Sequence, residues 1–207
     1  GLVDLAVIRL PRISNFTDFN VFSRIPGVSL RYVSRVSELG TPDLVFLPGT
    51  KNTMDDLLWM RQNGLEAAVL KLAARQIPIW GICGGYQMMG EVLEDAMGVE
   101  SDLPSRTAGM GLLPLKTEFE EEKIRTRVEG AFGELDGCLC GLSGKSIEGY
   151  EIHMGETSLV EERTRRHEKP ETAKKSQMMI RLSDGRQDGM EREDGRVFGS
   201  YLHGLFD

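Results

Sequence analysis

Pro78-Ile79-Trp80-Gly81-Ile82-Cys83-Gly84-Gly85-Tyr86-Gln87 decides how the rest of the chain is read. Ile77–Ile82 is short, apolar and partly β-branched, the pattern of a buried strand. Two glycines follow Cys83 at once. Beyond them Met89, Val92, Leu93 and Ala96 recur at helical spacing, which predicts a helix over Tyr86–Met97. A buried strand that turns directly into a helix is the repeating unit of a parallel sheet covered by helices.

Working outward, the same alternation holds through the first hundred residues. Val3–Arg9, Val28–Val33 and Leu44–Leu47 read as strands. Pro11 closes the first of these, the polar stretch Ser14–Phe19 follows as a loop, and Pro48-Gly49 closes the third. Asp55–Arg75 carries Leu57, Leu58, Leu65, Val69 and Leu72 near helical spacing, interrupted at Asn63-Gly64. Past residue 100 the pattern turns strand-like, at Gly111–Leu115, Ile124–Val128, Tyr150–Met154, Gln177–Leu182 and Val197–Tyr201. Asp184–Gly195 reads as a hairpin turn, and the mixed-charge run Glu161–Lys175 as a solvated loop. The expected fold is α/β, a mostly parallel central sheet with helices on both faces, and one domain over residues 1–207.

The turn at Cys83 has the features of a strand–nucleophile–helix elbow. A nucleophile there takes a strained backbone conformation, and its neighbours must be small. Gly81 and Gly85, two residues to either side, meet that need. Helix amides aimed at the sulfur favour the thiolate over a thiol whose reference pKa is about 8.5. The amide of Gly84 points where an oxyanion forms. Leu47–Thr53 is a second strand-to-helix turn. In a parallel sheet it opens at the same edge, so the amides of Gly49 and Thr50 are further oxyanion donors. The plainer reading of that loop is an ordinary connection with Thr53 as helix cap.

A cysteine nucleophile needs a base, and the chain has three histidines. His167 lies in the charged run. His153 sits in Gly149–Gly155, and His203 in Gly199–Phe206 at the end of the last strand. His203, followed by glycine, is the preferred base, with His153 as the alternative. A metal site is not expected, because no pair of ligands has a recognisable spacing.

Bulk properties narrow the classes. A net charge of −7 argues against a nucleic-acid partner. No apolar run approaches the roughly 18 residues of a membrane span, and the first residues lack the pattern of a signal peptide. Three cysteines do not make a disulfide framework, so a reducing cytoplasm is expected. The missing initiator Met reads as a fragment of a longer protein.

These residues resemble a known group. Gly81–Gln87 is similar to the nucleophile motif of class I, triad-type glutamine amidotransferases, which implies their flavodoxin-like fold. Pro48-Gly49-Thr50-Lys51-Asn52-Thr53 stands where commoner members have Pro-Gly-Gly, and resembles the cobalamin-biosynthesis branch. Ala6–Phe19, Glu148–Gly155 and Ser200–Asp207 narrow the resemblance to the C-terminal glutaminase domains of the cobyric acid synthase family, from Leu5 to Asp207. The resemblance implies that Cys83 attacks the side-chain amide of glutamine, His203 shuttles protons, the Thr50 and Gly84 amides hold the oxyanion, and Gln87 shapes the substrate pocket. It also implies no cofactor in this domain. ATP and Mg would belong to an N-terminal synthetase domain absent from this chain, and so would the corrinoid, adenosylcobyrinic acid a,c-diamide, amidated at four carboxylates.

One departure matters. Most triad-type members carry Glu two residues after the histidine, and here that residue is Leu205. Glu151 is a candidate replacement by motif only, and His153 suits a substrate or domain contact. Asn15 and Asp18 are read as lining an interface with the missing domain. Related readings are a cobyrinic acid a,c-diamide synthase, a cell-wall amidating ligase, a docking domain without activity, and a single-domain peptidase or chaperone relative.

Overall fold

The computed structural model describes residues 1–160 and 176–207. The expected loop at 161–175, with His167, lies outside the described residues. The elements in chain order are β1 (Val3–Ile8), β2 (Val28–Val33), α1 (Val36–Leu39), β3 (Leu44–Leu47), α2 (Thr53–Gln62), α3 (Leu65–Ala74), β4 (Ile79–Ile82) and α4 (Gly84–Met88). They continue with β5 (Val92–Asp95), β6 (Ser105–Ala108), β7 (Leu115–Phe132), β8 (Ser146–Leu159), β9 (Gln177–Leu182), β10 (Gln187–Glu191), β11 (Val197–Ser200) and β12 (Leu202–His203).

One continuous sheet runs β12-β8-β7-β9-β10-β11-β4-β3-β1-β2, with β5 and β6 to one side. Its α/β half is parallel: β2-β1-β3-β4-β11. All four residues of β4 and of β11 are buried, and the last three of β3. Strands sandwiched on both faces read as unbroken apolar runs, which is why these were legible. From β10 to β12 the pairing is antiparallel.

Three expectations change. The helix begun at Cys83 stops at Met88, and Val92–Asp95 is a strand paired in parallel with β7 and antiparallel with β6. Gly90 sets the exit, since a Cβ there would lie 2.7 Å from the Leu115 carbonyl oxygen. Tertiary pairing overrides a helical spacing that rests on four residues. Asp184–Gly195 is two turns around a real strand, β10, not one hairpin turn. Gly111–Leu115 is a turn, and the strand starts at Leu115. Ile124–Val128 and Tyr150–Met154 are the middles of the much longer β7 and β8.

An aromatic cluster ties the site loops to the sheet. Phe46 of β3 packs against Phe19 at 4.9 Å and Phe206 at 5.7 Å, and Trp80 of β4 meets Phe206 at 4.9 Å. Burying such rings stabilises by about 1.5–3 kcal/mol each. Phe19 follows Asp18 and Phe206 follows His203 by three residues, so the core fixes both polar residues above the ends of β3 and β4.

Candidate active site

Cys83 ends β4 with φ 52 and ψ −111. An L-residue held there stores roughly 1–3 kcal/mol. The surrounding glycines make the turn possible. A Cβ on Gly81 would sit 2.3 Å from Met89 Sδ, one on Gly84 2.5 Å from Thr50 Cγ2, and one on Gly85 1.9 Å from the Leu47 carbonyl oxygen. The elbow is therefore pressed against the end of β3. Cys83 is 7% exposed, and its thiol donates to the Ile152 carbonyl at 3.2 Å.

His203, on β12, lies beside Cys83, near enough for the sulfur to act on the charge of the imidazole. On its other side Nδ1 donates to Asp18 Oδ2 at 2.7 Å, and Asp18 Oδ1 accepts the Gly204 amide at 3.0 Å. Asp18 thus stands as the carboxylate behind the histidine, a contact the sequence reading did not foresee. Burial alone would lower the imidazole pKa. The Asp18 bond, then the neighbouring Cys83 sulfur and the charges of both, outweigh it and push the pKa up to about 10. The Asn15 side-chain amide, in a left-handed backbone conformation (φ 51), lies 3.3 Å from His203 Nε2.

Thr50 pairs with Ile13 in an isolated antiparallel bridge. The flanking bonds run from Ser14 N–H to Gly49 O and from Lys51 N–H to Arg12 O, so neither uses the Thr50 amide. That amide nitrogen lies 3.2 Å from the position of a Gly84 Cβ, and a Gly49 Cβ would lie 3.0 Å from His203 Cε1. Gly49, Thr50 and Gly84 are therefore gathered around the sulfur and the imidazole, as the two turns predicted. The cap of α2 is Asn52, whose side chain accepts from Asp55 N–H, and not Thr53. The Thr53 hydroxyl instead donates to Gln87 Oε1 at 2.9 Å.

Gln87 is fully engaged. Its Nε2 donates to Met154 O at 3.0 Å and to the Tyr201 hydroxyl at 3.1 Å. Tyr201 continues to Thr157, and burial raises its phenol pKa and keeps it protonated. Gln87 is a strut that holds α4 to β8, with both its amide hydrogens used, so it shapes the cleft.

Glu151 does not orient His203. It bonds His153 Nε2 at 2.8 Å and pairs with Arg186 at 3.0 Å, while His153 stacks on Tyr201 at 3.7 Å. The His153 bond, foremost, holds the Glu151 carboxyl below its usual range against burial. This pair lies beside the site, on the strand whose carbonyls 152 and 154 touch Cys83 and Gln87.

A cleft of about 360 Å³ opens above the sulfur, lined by Cys83, Thr50, Gln87, Glu100, Lys123 and Arg125 among others. Glu100 accepts the amides of Thr53 at 3.2 Å and Met54 at 3.0 Å at the start of α2. Burial, the leading cause, pushes its pKa up to about 7 against those bonds. Lys123 and Arg125 stand opposite Met154 and Ile152 in the β7–β8 register. The sequence reading missed these three. The signal for the basic pair was Lys123, Arg125 and Arg127 at period two on a strand, which places them on one face.

The arrangement has relatives. A family model described as CobB/CobQ-like glutamine amidotransferase domain matches residues 4–207. Cobyric acid synthase of Ruminiclostridium cellulolyticum is 52% identical over 208 residues, covering 100% of this chain and 38% of that protein. The corresponding protein of Lachnoclostridium phytofermentans is 47% identical over 212 residues, with 99% and 39% covered. The chain thus spans well under half the length of the curated relatives it matches. Among solved structures, PurLQS from Thermotoga maritima superposes with a TM-score of 0.65 at 20% identity, covering 98% of this chain and 88% of that one, a likeness of fold. With a family match across nearly its whole length and close relatives covering all of it, this chain belongs to the CobB/CobQ-like glutamine amidotransferase domains.

Proposed function

We propose that the chain is the glutaminase domain of a cobyric acid synthase, with Cys83, His203 and Asp18 as its catalytic set. The observation that carries the reading is the 2.7 Å bond from His203 Nδ1 to the Asp18 carboxylate, which supplies the acid that Leu205 does not, with the imidazole set beside Cys83. Cys83 thiolate attacks the side-chain carbonyl carbon of glutamine, and the oxyanion is met by the Thr50 and Gly84 amides, with Gly49 shaping that loop. His203 gives its proton to the amide nitrogen, the C–N bond breaks, and ammonia leaves a glutamyl thioester. Water deprotonated by His203 then cleaves the C–S bond, releasing glutamate and restoring the thiol. Asp18 holds the imidazole in one tautomer throughout.

Ammonia would pass to a synthetase unit carrying ATP and Mg, which amidates the four carboxylates of adenosylcobyrinic acid a,c-diamide. The relatives' shared name supports this acceptor, and the setting would be cytoplasmic. Among the described residues no helix is long and apolar enough to cross a membrane. A docking domain without chemistry would have no use for the Asp18–His203–Cys83 line.

The direct test is a glutamine-mimicking chloroketone followed by intact mass. One adduct on Cys83 is expected, with a rate that falls strongly in His203→Ala. No adduct would sink the nucleophile, and an unchanged rate would sink the base.

Within the same reading, the cleft's charges suit a free amino acid. Glu100 faces the α-ammonium, and Lys123 with Arg125 face the α-carboxylate. Glu100→Gln is expected to raise KM for glutamine about tenfold with kcat little changed. In the parent, KM should rise as pH falls through about 7, where Glu100 takes up a proton and loses its charge. That dependence should vanish in Glu100→Gln, and its persistence would remove Glu100 from the substrate site.

A further inference from the structure

A second cavity, of about 580 Å³, lies behind the catalytic cleft and shares one wall residue with it, His153. Nothing in the chemistry proposed above uses it. Among the described residues its charge is opposite to that of the cleft. Glu120, Glu122 and Glu156 stand exposed at its rim, with Glu151 and Asp188 buried inside. Arg186 is the one cation among its described lining residues, already paired with Glu151 at 3.0 Å. Asp188, 7% exposed, receives the backbone amide of Tyr201 at 3.2 Å. The cleft, by contrast, is lined by Lys51, Lys123 and Arg125 against Glu100.

The two products of glutamine cleavage differ in the same way. Glutamate carries a net negative charge and is repelled by an acidic cavity. Ammonia is small and uncharged, becomes a cation on taking up a proton, and is a hydrogen-bond donor in both forms. Walls rich in carboxylates accept it and turn glutamate back. The two spaces meet at the His153 side chain. His153 is one side chain, stacked on Tyr201, which bonds the Gln87 amide next to Cys83.

We propose that ammonia formed at Cys83 leaves past His153 into this cavity, while glutamate leaves through the basic cleft by which glutamine entered. The fold would then sort the two products by charge and send nitrogen out on the β7–β9 side. The inference rests on the glutaminase reading, but its test is separable.

In the complete synthase carrying this domain, Ile124→Trp and Met178→Trp fill the cavity from partly exposed strand positions outside the cleft. Large aromatics are tolerated at such sites. Three rates are compared: glutamate formation, glutamine-driven amidation, and amidation driven by added ammonium chloride. The expected result is glutamate formation within about twofold of the parent, ammonium-driven amidation unchanged, and glutamine-driven amidation down about tenfold. The ratio of glutamate formed to amide transferred then rises about tenfold. An unchanged ratio in both variants overturns the route. Loss of glutamine hydrolysis in both also overturns it, since the cavity would then be a prop for the cleft. A parent enzyme that cannot hydrolyse glutamine refutes the glutaminase reading instead.

Discussion

Asp18→Asn is expected to lower kcat for glutamine hydrolysis about 10³-fold with KM within about twofold. Asn keeps the shape and can still accept the Gly204 amide. Its NH2 group, however, faces Nδ1 of His203 and favours the tautomer protonated at Nε2. That nitrogen then cannot take a proton from Cys83. The effect falls on chemistry because Asp18 lies behind the histidine, away from the cleft. A loss below about tenfold would show that Asp18 is not the orienting acid. Stability supplies a second readout. The imidazole pKa is raised in the folded state from 6.5 to about 10, with the Asp18 bond the leading cause against burial. A raised pKa stabilises fully below the unfolded value and is lost as pH climbs through the folded one. The melting-temperature gap between parent and Asp18→Asn should therefore be widest below about pH 6.5 and narrow towards pH 10.

Gly85→Ala is the most damaging small substitution expected. The new Cβ would lie 1.9 Å from the Leu47 carbonyl oxygen and 2.4 Å from its carbon. Both are main-chain atoms of β3, which pairs with β4 at Leu47–Gly81, so neither side can yield alone. Relieving the overlap means lifting α4 off the sheet, which costs upwards of about 3 kcal/mol and moves the elbow. Thermal unfolding should drop by about 6–12 °C, with soluble yield falling accordingly. Gly141→Ala is the control, because nothing lies within 4 Å of its Cβ position and it should melt with the parent. Equal melting of the two variants would mean that the close approach of α4 to β3 is not needed.

The sequence disclosed whatever was local or buried on both faces. β1, β3 and β4 are apolar runs, and the elbow announces itself through its glycines. The resemblance of the quoted motifs to one family held across the chain. What stayed hidden depends on distance. Asp18 and His203 are 185 positions apart, and no spacing rule joins them. Phe19 and Phe206, packed on Phe46, bring them together, and that is a fact of the core. β7 and β8 were read only at their middles, because their exposed charged positions masked the alternation. Val92–Asp95 imitated a helix until β7 was available to pair with it.

The placement of β11 governs how the chain matures. This strand comes near the end of the sequence, yet it is inserted between β4 and β10 in the middle of the sheet. During synthesis the first four parallel strands, β1 to β4, emerge early, with one flank of β4 unpaired until residue 197 has left the ribosome. An open strand flank of that kind invites association with other chains. Closing it requires a contact between residues 79 and 197, a separation that slows folding. The same final step delivers His203 to Cys83. The thiol therefore acquires its base only when the sheet is sealed, and nascent or truncated chains should be aggregation-prone and catalytically silent together.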